Sequence, residues 1–148
     1  MKVISINKKA FFNYEVLEKF QAGIVLQGQE VKSIKLGRIN LAGSYVVLRG
    51  KEIFLIGSHV PPYQPNNQRD DYNPTQARKL LLKKSEINEL LGKSKQKGLT
   101  MAPLRVYTTA GRIKLEFGIV RGKKKTDKRE KIKKRETDRE IRRALKRG

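Results

Sequence analysis

The sequence predicts a mainly β protein, a small antiparallel barrel of about six strands with two or three flanking helices and a basic C-terminal tail. Three observations lead there. Five or six short apolar runs are separated by turn residues, and two pairs of runs lie close enough to form hairpins. Only two stretches show helical spacing with a stop signal behind them. The last 28 residues, RGKKKTDKREKIKKRETDREIRRALKRG, hold fifteen Lys or Arg against five Asp or Glu, with Ile132, Ile141 and Leu145 as their only sizeable apolar side chains. Such a segment cannot bury enough apolar surface to offset the entropy of ordering it. The expected division is a barrel over residues 1–120 and a tail over 121–148 that is disordered when free and folds on a polyanion. Hairpin-linked strands favour a barrel over a layered α/β fold, and closure removes sheet edges that would pair with other chains.

In order, Val3, Ile4 and Ile6 open the chain, followed by the basic step Asn7, Lys8, Lys9 and then Phe11 and Phe12. Tyr14 to Leu26 fits both periods, but Tyr14, Val16 and Phe20 keep strand spacing, and Gly23 argues for a bend or bulge. QEVKSIKLG places Val31 and Ile34 on one side at helical spacing, with Gly37 as the residue that stops the helix. SYVVLR and EIFLIG, joined through Gly50 and Lys51, read as a hairpin. Residues 61–76, with four of the five prolines, read as an irregular surface loop. After the short run KLLLK, Ser85 is expected to cap a helix with a buried stripe of Ile87, Leu90 and Leu91, ending at Gly98. LTMAPLRVYTT and RIKLEFGIV, turning at Ala110 and Gly111, form a second hairpin in which Ile113, Leu115, Phe117 and Ile119 face inward.

Lys and Arg number 35 against 14 acidic residues, a formal net charge of +21, and about half of the excess lies outside the tail. A charge of that size speaks of a polyanionic partner, nucleic acid or an anionic membrane surface, and says nothing about fold. With no Cys there is neither a disulfide framework nor a thiolate site. The first residues lack the apolar core of a signal peptide and no run approaches a membrane span, so a cytoplasmic location is expected. The single His59 and the adjacent Asp70 and Asp71 offer no metal-ligand spacing, and GQEVKS lacks the spacing of a phosphate loop. No enzyme, metal or cofactor is expected. Aromatic and basic residues are instead interleaved, from Asn7 to Tyr14, at Lys32, Lys35 and Arg38, and at Arg78 and Lys79. Cations neutralise phosphates and rings stack on unpaired bases. Phe20, Phe54 and Phe117 are expected in the core, while Phe12 suits either role.

The pieces NKKAFFNYEVLEKFQAGIVLQGQEVKSIKLGRINLAGSYV, NPTQARKLLL and GIVRGKKKTDKREKIKKRE resemble the SsrA-binding proteins, or small protein B, of bacteria, over essentially the whole chain. The resemblance implies a six-stranded barrel of oligonucleotide-binding type. It also implies two partners: the tRNA-like domain of transfer-messenger RNA, and the decoding centre and message channel of a stalled ribosome, with no DNA or membrane partner. By motif, it places Asn7, Lys8, Lys9, Phe12, Tyr14, Gln21, Gly23, Lys32, Ser33, Lys79 and Leu81 on the RNA face. It assigns Gly122, Lys123, Lys124, Lys125, Thr126, Asp127, Lys128, Arg129, Ile132 and Arg135 to the tail element that becomes helical on the ribosome. Many members have His at the place of Phe12, Glu at Gln21, Asn at Lys83, His at Thr126 and Trp at Thr137. Phe12 keeps the ability to stack but cannot donate a hydrogen bond, Gln21 lacks a charge, and Thr126 cannot stack. The residues alone leave a second reading open, a structural ribosomal protein whose basic extension threads rRNA.

Overall fold

Residues 1–64 and 71–123 are described by the computed structural model. Their order is β1 (Lys2–Ile6), α1 (Lys8–Asn13), β2 (Tyr14–Ile24), α2 (Gly28–Lys35), β3 (Tyr45–Arg49), β4 (Glu52–Ile56), β5 (Arg78–Leu81), α3 (Lys84–Lys93), β6 (Leu99–Thr109) and β7 (Arg112–Gly122). All seven strands belong to one antiparallel sheet in the order β1-β6-β3-β4-β5-β2-β7. Because β6 also pairs with β7, strands β2 to β7 close into a six-stranded ring and β1 hangs on β6 outside it. The expected barrel is therefore present, with a seventh strand added at its flank.

Closure follows from the length of three strands. β2, β6 and β7 have eleven residues each, long enough to hold two or more neighbours on their two edges. Thus β7 meets β2 from Tyr14↔Gly122 to Gly23↔Lys114 and β6 from Leu99↔Arg121 to Thr109↔Arg112. The short β3 joins β6 through Val46↔Met101 alone, and β5 joins β2 through two residues. Inside the ring the alternating side chains of the hairpin meet those of the other strands. Ile53, Leu55, Leu115 and Phe117 are wholly buried, and Phe20 stacks on Phe117 with ring centroids 5.5 Å apart. Phe54 is only partly buried. A smaller cluster of Ala10, Ala102, Leu104 and Val120 lies under α1.

Three local features differ from what spacing suggests. The register of β2 shifts between Val16 and Glu18, so its bulge lies near Leu17 rather than at Gly23. The reason is visible on β7: a Cβ at Gly118 would lie 2.8 Å from the Glu18 carbonyl oxygen, so only glycine lets the bulged backbone approach. Helix α3 starts one residue before Ser85, because the Glu86 carboxylate accepts from the Lys83 backbone N–H at 3.3 Å and makes Lys83 the N-cap. It stops at Lys93, well short of Gly98, and of its expected stripe Leu90 is fully buried while Ile87 and Leu91 are half-buried. Third, a helix occupies Lys8–Asn13, a six-residue element too short to leave a periodic signal.

Helix α2 ends as its sequence predicts. Gly37 takes φ +82, its N–H bonds to the Ile34 carbonyl at 2.8 Å, and the Arg38 N–H bonds to the Ser33 carbonyl at 3.1 Å. This six-to-one closure fixes where Arg38 leaves the helix.

Candidate RNA interface

The residues expected on the RNA face fall at the two ends of β2. Nine steps of about 3.3 Å separate Tyr14 from Gly23, so the ends lie roughly 30 Å apart along the strand.

At the first end, α1 is seeded by Asn7. Its Oδ1 accepts from the Ala10 N–H at 3.3 Å, and its Nδ2 donates to the Pro103 carbonyl at 2.9 Å. Asn7 is thus a buried helix cap tying α1 to β6, and its amide is not available to RNA. The cap leaves Lys8 and Lys9 exposed on the helix, with Phe12 and Tyr14 half-buried beside them. Lys8, Lys9, Phe11 and Phe12 line an open surface hollow of about 370 Å³. The Arg105 guanidinium lies 5.1 Å from the centre of the Phe11 ring.

Gln21 sits two residues before Gly23 on β2, exposed but engaged. Its amide donates to Glu116 at 3.1 Å, and the Tyr107 hydroxyl donates to its carbonyl oxygen. Glu116 also accepts from Arg105 at 3.2 Å. Burial, and then the Glu116 charge, hold the Tyr107 phenol above the ordinary tyrosine range.

At the second end, Gly23 faces Leu81 across the β2–β5 pairing, and a Cβ there would touch the Leu81 side chain at 3.4 Å. Leu81 is exposed, as are Lys79 on β5 and Lys32 on α2. Two residues of this region are not on the surface at all. Ser33 is fully buried and donates its hydroxyl to the Pro61 carbonyl at 2.7 Å. Arg78, singled out by its basic neighbourhood, is 2% exposed and forms a pair with the equally buried Glu30, its Nη2 2.6 Å from the carboxylate. Its remaining N–H groups go to the Ser58 carbonyl at 2.9 Å and hydroxyl at 3.0 Å, to the Gln76 carbonyl at 3.1 Å and to the Pro74 carbonyl at 2.9 Å. The other Glu30 oxygen accepts from the Gln27 N–H at 3.0 Å. Spacing cannot tell such a cation from a surface one; the burial of a charge is decided by partners that lie 48 residues away.

Of the tail residues, Gly122 closes β7, and Lys123 is tied to α1 by its N–H on the Asn13 carbonyl at 2.9 Å and its Nζ on the Phe11 carbonyl at 3.0 Å. The barrel thus extends a little beyond residue 120. Lys124, Lys125, Thr126, Asp127, Lys128, Arg129, Ile132 and Arg135 lie outside the described residues. Sequence reasoning missed Tyr63, Arg105 and Glu116, since nothing in the order of the chain places them near Lys32, Phe11 or Gln21.

The class that fold and surface define is a basic antiparallel barrel of oligonucleotide-binding type. The model of the family described as SmpB protein matches residues 4–147. The chain is 50% identical over 147 residues to the SsrA-binding protein of Acaryochloris marina, covering 99% of this chain and 96% of that one. It is 48% identical over 145 residues to the SsrA-binding protein of Cupriavidus taiwanensis, covering 98% and 97%. A solved chain described under "tmRNA-SmpB: a journey to the center of the bacterial ribosome" superposes with a TM-score of 0.68 at 40% identity, covering 82% of this chain and 85% of that chain. The chain belongs to the SmpB family of SsrA-binding proteins.

Proposed function

We infer that this protein binds the tRNA-like domain of transfer-messenger RNA and delivers it to the A site of stalled ribosomes, where trans-translation tags the incomplete chain. The observation that supports this most is the end-to-end match to SsrA-binding proteins, together with a solved relative described as tmRNA-SmpB in the bacterial ribosome. A resident ribosomal protein explains the charge equally well but not that match. The protein binds RNA rather than transforming it and works in the cytoplasm, where ribosomes are.

The barrel holds the RNA through both ends of β2: Lys8, Lys9, Phe12 and Tyr14 at one, Lys32, Lys79 and Leu81 at the other. Asn7, Ser33 and Gly23 shape these ends from beneath. The tail is a separate part. As a helix, Asp127 to Lys146 would span ~30 Å at ~1.5 Å per residue, enough to follow a message channel on the ribosome. There Lys128 and Arg129 meet rRNA phosphates and Asp127 caps the helix.

A reconstituted translation system tests both parts together. The full chain carrying Asp127→Ala, Lys128→Ala and Arg129→Ala should bind transfer-messenger RNA with near-normal affinity and fail to tag. Tagging at the unmodified rate would refute the role of the tail. Loss of RNA binding along with tagging would make the tail part of the RNA-binding surface instead.

A further inference from the structure

We propose that Tyr63, with Lys32 and Arg38 beside it, is a stacking site for an unpaired nucleobase of the bound RNA, the two cations receiving its flanking phosphates. This rests on the RNA-binding reading above and adds a contact that no motif in the sequence announces.

Tyr63 is held by the fold at its ring and at its backbone. Lys32 Nζ lies 5.5 Å from its centroid, and Arg38 Nη1 donates to the Tyr63 carbonyl at 3.4 Å. The chain leading to it is fixed as well. The buried Ser33 hydroxyl holds the Pro61 carbonyl at 2.7 Å, and the Tyr72 hydroxyl holds the Val60 carbonyl, also at 2.7 Å. Both Pro61 and Pro62 restrict φ directly before the tyrosine. The far side of the loop is anchored by Arg78 through the Pro74 and Gln76 carbonyls. An aromatic residue on so constrained a support loses little freedom when a ligand stacks on it.

The surrounding charge fits a nucleotide. Lys32 and Arg38 are exposed, and neither makes an ion pair with a carboxylate among the described residues. Lys35, also exposed, lies one helical turn from Lys32. A ring beside cations that no carboxylate among the described residues neutralises is the arrangement that takes a base on its face and phosphates at its rim. When the base arrives, the Lys32 ammonium can leave the ring for one phosphate, while Arg38 keeps the Tyr63 carbonyl through Nη1 and offers its remaining N–H groups to the other. Ser33 and Arg78 act through the loop and are positioning residues.

Stacking and phosphate contacts separate by salt dependence. With the tRNA-like domain of transfer-messenger RNA as probe, Tyr63→Leu in the full chain should weaken binding about tenfold at every salt concentration, leaving the slope of log affinity on log salt unchanged. Tyr63→Phe, which keeps the ring, should recover most of that loss. Lys32→Ala should flatten the slope by about one unit. The chain has no Trp, so Tyr63→Trp supplies a single reporter, and its emission should be quenched when RNA binds. Affinity of Tyr63→Leu within twofold of the unmodified protein, or unchanged emission from Tyr63→Trp in the RNA complex, would overturn the stacking site. Failure of the unmodified protein itself to bind this RNA would instead remove the functional reading, and the site with it.

Discussion

At one end of β2, Lys8 and Lys9 stand on a six-residue helix held by separate hydrogen bonds and a small apolar cluster, whereas at the other Lys32 and Lys79 flank a wholly buried ion pair. The first foundation is a sum of modest terms: the Asn7 cap, the contacts of Ala10 with Leu104 and Val120, and the two bonds of Lys123. The second is a single network in which Arg78 joins α2, β5 and both sides of the loop between β4 and β5. A sum can lose a member and keep its shape. A buried network whose polar groups are all paired fails together when one partner goes, because the remaining charge is left in low dielectric.

The contrast is sharpest at Arg78. Replacing it by Met strands the Glu30 carboxylate and the Ser58 and Gln76 carbonyls, so Arg78→Met should cost about 3–5 kcal/mol in urea unfolding. Adding Glu30→Leu removes the stranded charge but not the orphaned Ser58 and Gln76 carbonyls, so the double variant should recover only part of the loss. Full recovery would mean that the loop does not depend on Arg78. At the α1 end the largest expected effect is steric. Gly118→Ala drives a methyl to 2.8 Å from the Glu18 carbonyl and against Leu104, and should cost about 1–3 kcal/mol. Asn7→Ala removes a cap and the bond to Pro103, for about 1–2 kcal/mol, and should leave the Lys32 end intact by amide chemical shift. Smallest is the exposed Arg121–Glu15 pair at 2.8 Å; Arg121→Ala should not shift the urea midpoint measurably. A large shift there would show that the α1 end, too, rests on charge.

Much of this architecture is legible in the order of residues, and its limits are physical. The hairpin β6–β7 reads directly because Ile113, Leu115, Phe117 and Ile119 alternate about a two-residue turn, a local pattern with a local cause. The end of α2 reads for the same reason, since Gly37 provides a backbone conformation that its neighbours can use. The six-residue α1 has no such pattern; its stability comes from Asn7 bonding to a carbonyl 96 residues away. Of the candidate site, Lys8, Lys9, Lys32, Lys79 and Leu81 lie on the surface. Arg78 and Ser33 do not, because spacing reports residue type and not the buried partner that consumes it. Tyr63 escaped notice inside a Pro-rich loop whose composition announces irregularity but not the cations that fold beside it.

One RNA held by both ends of β2 at once should lose phosphate contacts independently at each end. This is tested most directly by the salt dependence of affinity for the tRNA-like domain, measured for the unmodified chain, Lys8→Ala, Lys32→Ala and the pair together. Neutralising about five phosphates gives a slope of log affinity on log salt of roughly −3.5 to −4.5. Each single variant should flatten it by about one unit and the double by about two, because the two lysines are far apart and share no partner. A slope that Lys8→Ala leaves untouched while Lys32→Ala flattens it, or the reverse, would contradict a hold at both ends and confine this RNA to one end of the barrel.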